Sequence, residues 1–129
     1  MAKAIHTMIR VLDEARSLAF YKKAFGLDIA DRLDFPEFTL VYLSNSETPH
    51  EVELTINKDR AEPYNLGDGY GHVAFVVEDL DAVRSELAGR GVAISEVQQM
   101  GPEGTPGSRY CFFEDPDRNM WAVQEYKRT

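Results

Sequence analysis

The feature that most constrains this chain is that it carries one short pattern twice. His6 opens the run His6-Thr7-Met8-Ile9-Arg10-Val11, and Asp13 stands seven residues after it. His72 opens His72-Val73-Ala74-Phe75-Val76-Val77, and Asp79 stands at the same offset. Each run is short and rich in β-branched or apolar residues, as a strand requires. Each aspartate is placed to cap a helix by accepting from the free amides of its first turn. The spacing predicts a helix over about 13–25, with Leu18, Tyr21 and Phe25 on one line, and another over about 79–90, with Leu80, Val83 and Leu87 inward. Gly26 and Gly91 end them. After each helix the period changes to that of strands, expected at about 28–33, 38–44 and 51–57, and again at about 93–98, 109–114 and 120–126. Asn45-Ser46 and Asp115-Pro116-Asp117 are the matching turns before each last strand. The chain therefore reads as α+β, with βαβββ repeated in modules 1–57 and 71–129 and a linker at 58–70. A four-stranded sheet with one helix leaves a face bare, and two such curved mixed sheets facing one another would close a pocket. One domain spanning 1–129 is expected.

Composition excludes more than it assigns. A chain of 129 residues with 43% apolar content can bury a core of its own. A net charge of −8, with both signs interspersed, argues against nucleic acid and anionic membrane surfaces, which need a basic face. No apolar stretch is long enough to span a bilayer. Cys111 is the only cysteine, so no intrachain disulfide is possible, and a reducing, cytoplasmic setting is expected.

Two of the three histidines occupy equivalent positions in the two repeats, which puts both rings on corresponding faces near one pseudo-twofold axis. Imidazole suits borderline divalent metals. The third, His50, stands in the turn Thr48-Pro49-His50 with no evident partner and reads as surface. In the strand Val52-Glu53-Leu54-Thr55-Ile56-Asn57, alternation sets Glu53, Thr55 and Asn57 on one face and Leu54 and Ile56 on the other. Glu53 is either an ordinary solvent-facing strand residue or, beside the histidine pair, a third ligand. His6, Glu53 and His72 together would hold one divalent ion and leave coordination positions open, as a catalytic site requires.

The segments His6-Thr-Met-Ile-Arg-Val, Glu53-Leu-Thr-Ile-Asn, Tyr70-Gly71-His72-Val-Ala and Glu114-Asp-Pro-Asp resemble the short bacterial glyoxalase I enzymes, or lactoylglutathione lyases, of the vicinal oxygen chelate superfamily. The resemblance runs nearly end to end. It implies a homodimer with shared sites, each taking His6 and Glu53 from one chain and His72 from the other. It implies one metal per site, nickel or cobalt being favoured and zinc or iron possible. It also implies a small-molecule thiol adduct as substrate, with Arg10 and Asn57 contacting the thiol moiety. The expected reaction converts the methylglyoxal–glutathione hemithioacetal, or a similar adduct, to the 2-hydroxyacyl thioester through an enediolate.

The chain departs from that pattern at the fourth metal ligand. The family has a glutamate on the final strand, and this sequence reads Asp117-Arg118-Asn119-Met120-Trp121-Ala122-Val123, which puts Ala122 there. A methyl cannot coordinate, so either Gln124, one pleat along at about 7 Å, or a water takes the place. With that carboxylate missing, Glu53 is the one ligand able to act as base. The loop Gly101-Pro102-Glu103-Gly104-Thr105-Pro106-Gly107 lacks the family's lysine, and Arg109 just beyond is a candidate replacement. Arg10 has an alternative role in an inter-strand salt bridge. Tyr110, Phe112, Phe113 and Trp121 are either core packing or a substrate wall. Two rival functions follow: a catalytically weakened metal- or ligand-binding relative, and a ring-cleaving dioxygenase using a facial triad. The dioxygenases of the superfamily take their carboxylate from the final strand, where Ala122 stands.

Overall fold

The computed structural model describes residues 1–100 and 109–125. The elements follow the order β1 (His6–Arg10), α1 (Glu14–Phe25), β2 (Asp28–Asp34), β3 (Phe38–Asn45), β4 (Thr48–Asn57), β5 (Val73–Val76), α2 (Leu80–Gly89), β6 (Gln98–Gln99), β7 (Arg109–Glu114) and β8 (Met120–Gln124). They form two four-stranded mixed sheets, ordered β1-β4-β3-β2 and β5-β8-β7-β6. The chain divides accordingly into two compact units, Met1–Asn65 and Leu66–Thr129. Both are βαβββ, and in both the first strand runs parallel to the last. Among the described residues no helix is long and apolar enough to cross a membrane.

Both helix starts follow the sequence signal. Asp13 accepts from the Arg16 amide at 2.9 Å and Asp79 from the Ala82 amide at 3.0 Å. α1 stops at Gly26, which adopts a left-handed φ of 66° that glycine takes without a Cβ clash. In the first unit Ile9, Val41, Leu43, Val52 and Leu54 are buried together with Phe20 and Tyr21 of α1. Each such side chain contributes about 1.5–3 kcal/mol of transfer free energy. Tyr21 is the core residue that helical spacing anticipates, but Ser17 and Phe20 are the other buried positions of α1, while Leu18 and Phe25 are half-buried. The inward stripe is rotated by about one residue. In the second unit Leu80 and Leu87 are buried as expected, with Cys111, Phe113, Trp121 and Val123.

Two strand expectations need correction. The strand expected at about 93–98 is reduced to Gln98–Gln99 and a lone bridge between Ile94 and Phe113. Ser95 explains the gap. Arg84 Nε donates to its carbonyl at 2.8 Å, so the Phe112 amide turns to the Ser95 hydroxyl, at 2.9 Å, instead of a ladder carbonyl. In the first unit β4 begins at Thr48, leaving Ser46-Glu47 as the turn. A register shift between Leu43 and Asn45 then displaces the pairing by two residues. Tyr42 consequently faces Glu53, where an uninterrupted ladder from Asn45–Thr48 would have set it against Glu51.

The turn before β8 is held by one side chain. Asp115, which is buried, accepts from the Asp117 and Asn119 amides at 2.9 and 2.7 Å and from Asn119 Nδ2 at 2.9 Å. Arg118 within that turn has a φ of 70°, the left-handed conformation that disfavours a side chain. Arg118→Gly is therefore expected to hold or raise stability by up to about 1 kcal/mol. Asp115→Ala is expected to lower it by about 2 kcal/mol or more, because two amides lose a charged acceptor. Denaturant unfolding of the two variants measures both, and opposite signs are the expected result.

Candidate active site

One face of each sheet is not the buried core face, and the predicted site residues of the first unit lie there. The parallel register pairs His6 with Glu51, Met8 with Glu53 and Arg10 with Thr55. That places His6 diagonally beside Glu53. His6 Nε2 lies 3.3 Å from Glu53 Oε1. Glu53 is buried, at 8% exposure, which excludes the reading of it as a solvent-facing strand residue. Tyr42 lies directly opposite Glu53 on β3 and shares its face of the sheet. The same ring meets His6 edge-on, with centroids 5.9 Å apart and an interplanar angle of 70°. The hydrogen bond to Glu53, burial and the nearby charges of Glu51 and Asp31 push the Tyr42 hydroxyl up to about 12, so it remains a protonated donor.

The donor set fits a divalent cation. Two ligand atoms bound at about 2.0–2.2 Å to one ion sit about 3–3.5 Å apart in tetrahedral or octahedral geometry, and the imidazole and carboxylate are at that separation. Among the described residues of this single chain, no three His, Cys, Asp or Glu side chains form a metal-holding group. The structure brings His6 and Glu53 together, and His72 belongs to the second unit.

The second unit repeats the geometry with different chemistry. Ala74 pairs with Ala122 and Phe112 faces Ala122, as Met8 pairs with Glu53 and Tyr42 faces Glu53. Ala122 therefore stands at the register position of Glu53, and Phe112 at that of Tyr42. His72, exposed just before β5, meets Phe112 edge-on at 5.0 Å and 69°. The imidazole and the ring it leans on are duplicated, whereas the carboxylate and the phenol hydroxyl are confined to the first unit. Gln124 lies two residues along β8 from Ala122, opposite Tyr110 and Val76.

The remaining expected residues divide. Arg10 is exposed at the end of β1, and no ion pair engages its guanidinium among the described residues, so the salt-bridge alternative finds no support there. Asn57 ends β4 and donates to the Tyr64 hydroxyl at 3.1 Å. It lines an open groove of about 440 Å³ with Pro36, Glu37, Phe38, Lys58 and Asp59. Arg109 is not a free cation: it pairs with Asp81 at 2.7 Å and with Glu125 at 3.5 Å, tying α2 to β7. His50 also has a partner, since its Nε2 lies 3.0 Å from the Thr7 hydroxyl on the neighbouring strand. Trp121 is wholly buried against Phe75, and Phe113 is buried opposite it, so these two are core. Tyr110 and Phe112 stack edge-on at 5.3 Å on the other face. The lysine-free loop 101–107 lies outside the described residues. Sequence reasoning missed Tyr42, whose meeting with Glu53 depends on the register shift in β3.

Comparison with known proteins agrees with this architecture. The family model described as the Glyoxalase/Bleomycin resistance protein/Dioxygenase superfamily matches residues 3–123. A protein of Neisseria meningitidis named lactoylglutathione lyase is 37% identical over 119 residues, covering 89% of this chain and 84% of its own. One of Synechocystis sp. named probable lactoylglutathione lyase is 35% identical over 117 residues, covering 88% and 87%. Among solved structures, the trypanothione-dependent glyoxalase I of Leishmania major superposes with a TM-score of 0.76 at 28% identity, covering 96% of this chain and 86% of that one. With one strand order, one helix and one histidine position in each half, and with relatives matching over most of their length, the chain belongs to the glyoxalase I family of lyases within the Glyoxalase/Bleomycin resistance protein/Dioxygenase superfamily.

Proposed function

We propose that this chain is a metal-dependent glyoxalase I-type lyase, forming one domain over 1–129 and working as a cytoplasmic homodimer. In each of two shared sites His6 and Glu53 come from one chain and His72 from the other. The substrate is the hemithioacetal of methylglyoxal with glutathione or a related thiol. The observation that carries this reading is the buried Glu53 carboxylate 3.3 Å from the His6 imidazole. Family membership and relatives named lactoylglutathione lyase support it. The thiol is left open by the trypanothione dependence of the Leishmania major relative.

A bound divalent cation, nickel or cobalt being favoured and zinc or iron possible, supplies Lewis-acid stabilisation of negative charge on two neighbouring oxygens. The chain's own residues do the rest. Glu53 takes the proton from the carbon bearing sulfur and returns it to the adjacent carbon. The first carbon becomes the thioester carbonyl and the second the alcohol, an isomerisation that needs no oxidant. Arg10, exposed and unpaired among the described residues, is placed to accept a thiol peptide's carboxylate through its fork. Asn57 adds an amide at the groove.

A second reading has its own observation. Ala122 occupies the register position of Glu53, so the second unit has no carboxylate at that position. That favours a relative that binds metal and ligand without turnover. The two readings separate on methylglyoxal–glutathione isomerisation with added nickel, cobalt or zinc. The lyase reading expects turnover and a loss of about 10²- to 10⁴-fold in kcat for Glu53→Gln. Metal binding with no turnover on any thiol adduct would favour the binding relative.

Restoring the missing acid tests the asymmetry. Ala122→Glu alone buries a carboxylate opposite Phe112, which has no donor. Ala122→Glu with Phe112→Tyr is therefore expected to raise kcat more than Ala122→Glu alone. No rise in either variant would mean that the site is tuned for other chemistry.

Sharing of sites across chains gives a further expectation. Glu53→Gln and His72→Ala homodimers should each be inactive. After subunit exchange, each mixed dimer holds one site built wholly from unaltered ligands. Random mixing should then recover roughly one quarter of wild-type activity. No recovery, with exchange verified by mass, would place all three ligands on one chain.

A further inference from the structure

We propose that Tyr42 is the positioning residue for Glu53, holding its carboxylate with the phenol hydroxyl so that an oxygen stays turned to His6 and to the ion they share. This rests on the reading above that Glu53 is a metal ligand. Tyr42 touches both members of the pair. Its side chain stands directly across the strand pair from Glu53, and its ring packs edge-on against His6. The strand pairing fixes it there, because Tyr42 and Glu53 are direct cross-strand neighbours.

The need for such a residue follows from what a buried carboxylate requires. An ionised glutamate only accepts hydrogen bonds, has three rotatable side-chain bonds, and loses solvation when buried. Glu53 has an imidazole on one side. Glu51 and Asp31, the other charged groups acting at Tyr42, are acids and supply no donor. The Tyr42 hydroxyl satisfies a lone pair with a charge-assisted bond and narrows the carboxylate to one orientation.

The second unit isolates what the hydroxyl is for. Phe112 holds the same place and meets His72 with nearly the same ring angle, 69° against 70°. Edge-on support of an imidazole therefore needs only the ring. The hydroxyl is present in the unit with a carboxylate opposite it and absent in the unit with Ala122 opposite. Its role is directed at the acid, not at packing. Outer groups that orient a ligand commonly change metal affinity 10–100-fold when removed.

The test is Tyr42→Phe, a change whose shape the second unit already accommodates at Phe112. Nickel and zinc dissociation constants are measured by chelator competition for wild type, Tyr42→Phe, Glu53→Gln and the double variant, with circular dichroism confirming that each is folded. Tyr42→Phe should weaken nickel binding at least tenfold. In the Glu53→Gln background the same change should move the affinity less than twofold. Unchanged affinity in Tyr42→Phe, with Glu53→Gln weakened, would overturn the positioning role while leaving Glu53 a ligand. If wild type binds neither metal, or Glu53→Gln binds as tightly as wild type, the ligand reading itself fails and this inference falls with it.

Discussion

Everything at this site depends on the register of one parallel strand pair. β1 and β4 are far apart in sequence, and their alignment decides whether His6 meets an acid or a hydrophobe. With His6 opposite Glu51, the next same-face residue along β4 is Glu53. A slip of one residue would turn Glu53 toward the core and bring Leu54 to the site, because successive side chains alternate faces. Leu54 is fully buried and resists that slip. The hydrophobic face of the sheet thus sets the chemistry of the other face. In the second unit the same parallel pairing, β5 with β8, sets Ala74 opposite Ala122.

Duplication of the fold has not meant duplication of the chemistry. The two halves share aspartate helix N-caps, strand order and the position of a histidine leaning on an aromatic ring. They differ in the side chains that carry charge. The first unit sets Glu51, Glu53 and Asp31 around Tyr42. At the equivalent place the second has the apolar Ala122 and Phe112. Where the family resemblance implies a fourth carboxylate ligand this chain has Ala122, although the turn before that strand is fully hydrogen-bonded around Asp115.

Much of this was readable from residue order alone. The repeat gave both helix N-caps, both helices, the order of elements along the chain and the placement of Glu53 away from Leu54, because these rest on local spacing and alternation. What escaped was decided by side chains competing for backbone groups. The strand expected at 93–98 is broken because Arg84 takes the Ser95 carbonyl, a contact between residues eleven apart that no periodicity reveals. Arg109, a candidate replacement for the lysine missing from the preceding loop, is engaged by two acids, Asp81 and Glu125. His50 looked isolated because its partner, Thr7, lies forty-three positions earlier on another strand. Tyr42 was the costliest omission. A register shift in a hairpin moves it from one glutamate to the next, and nothing in the run Phe38-Thr39-Leu40-Val41-Tyr42-Leu43 announces a bulge.

The charge around Tyr42 also links stability to the proposed function. Three acids approach one phenol, and the nearest basic group at Glu53 is a histidine. Like charges gathered on a half-covered face repel one another, and removing Glu53 from water adds a solvation cost. Such an arrangement persists when the rest of the fold determines it, here through the buried strand residues on the reverse face. A divalent cation held by Glu53 and His6 would relieve both costs at once, because it would be attracted by the whole acidic cluster. Binding that favours the folded state stabilises it in proportion to the logarithm of ligand excess. The feature that makes the first unit electrostatically uncomfortable on its own is therefore the same feature that would give it affinity for a metal.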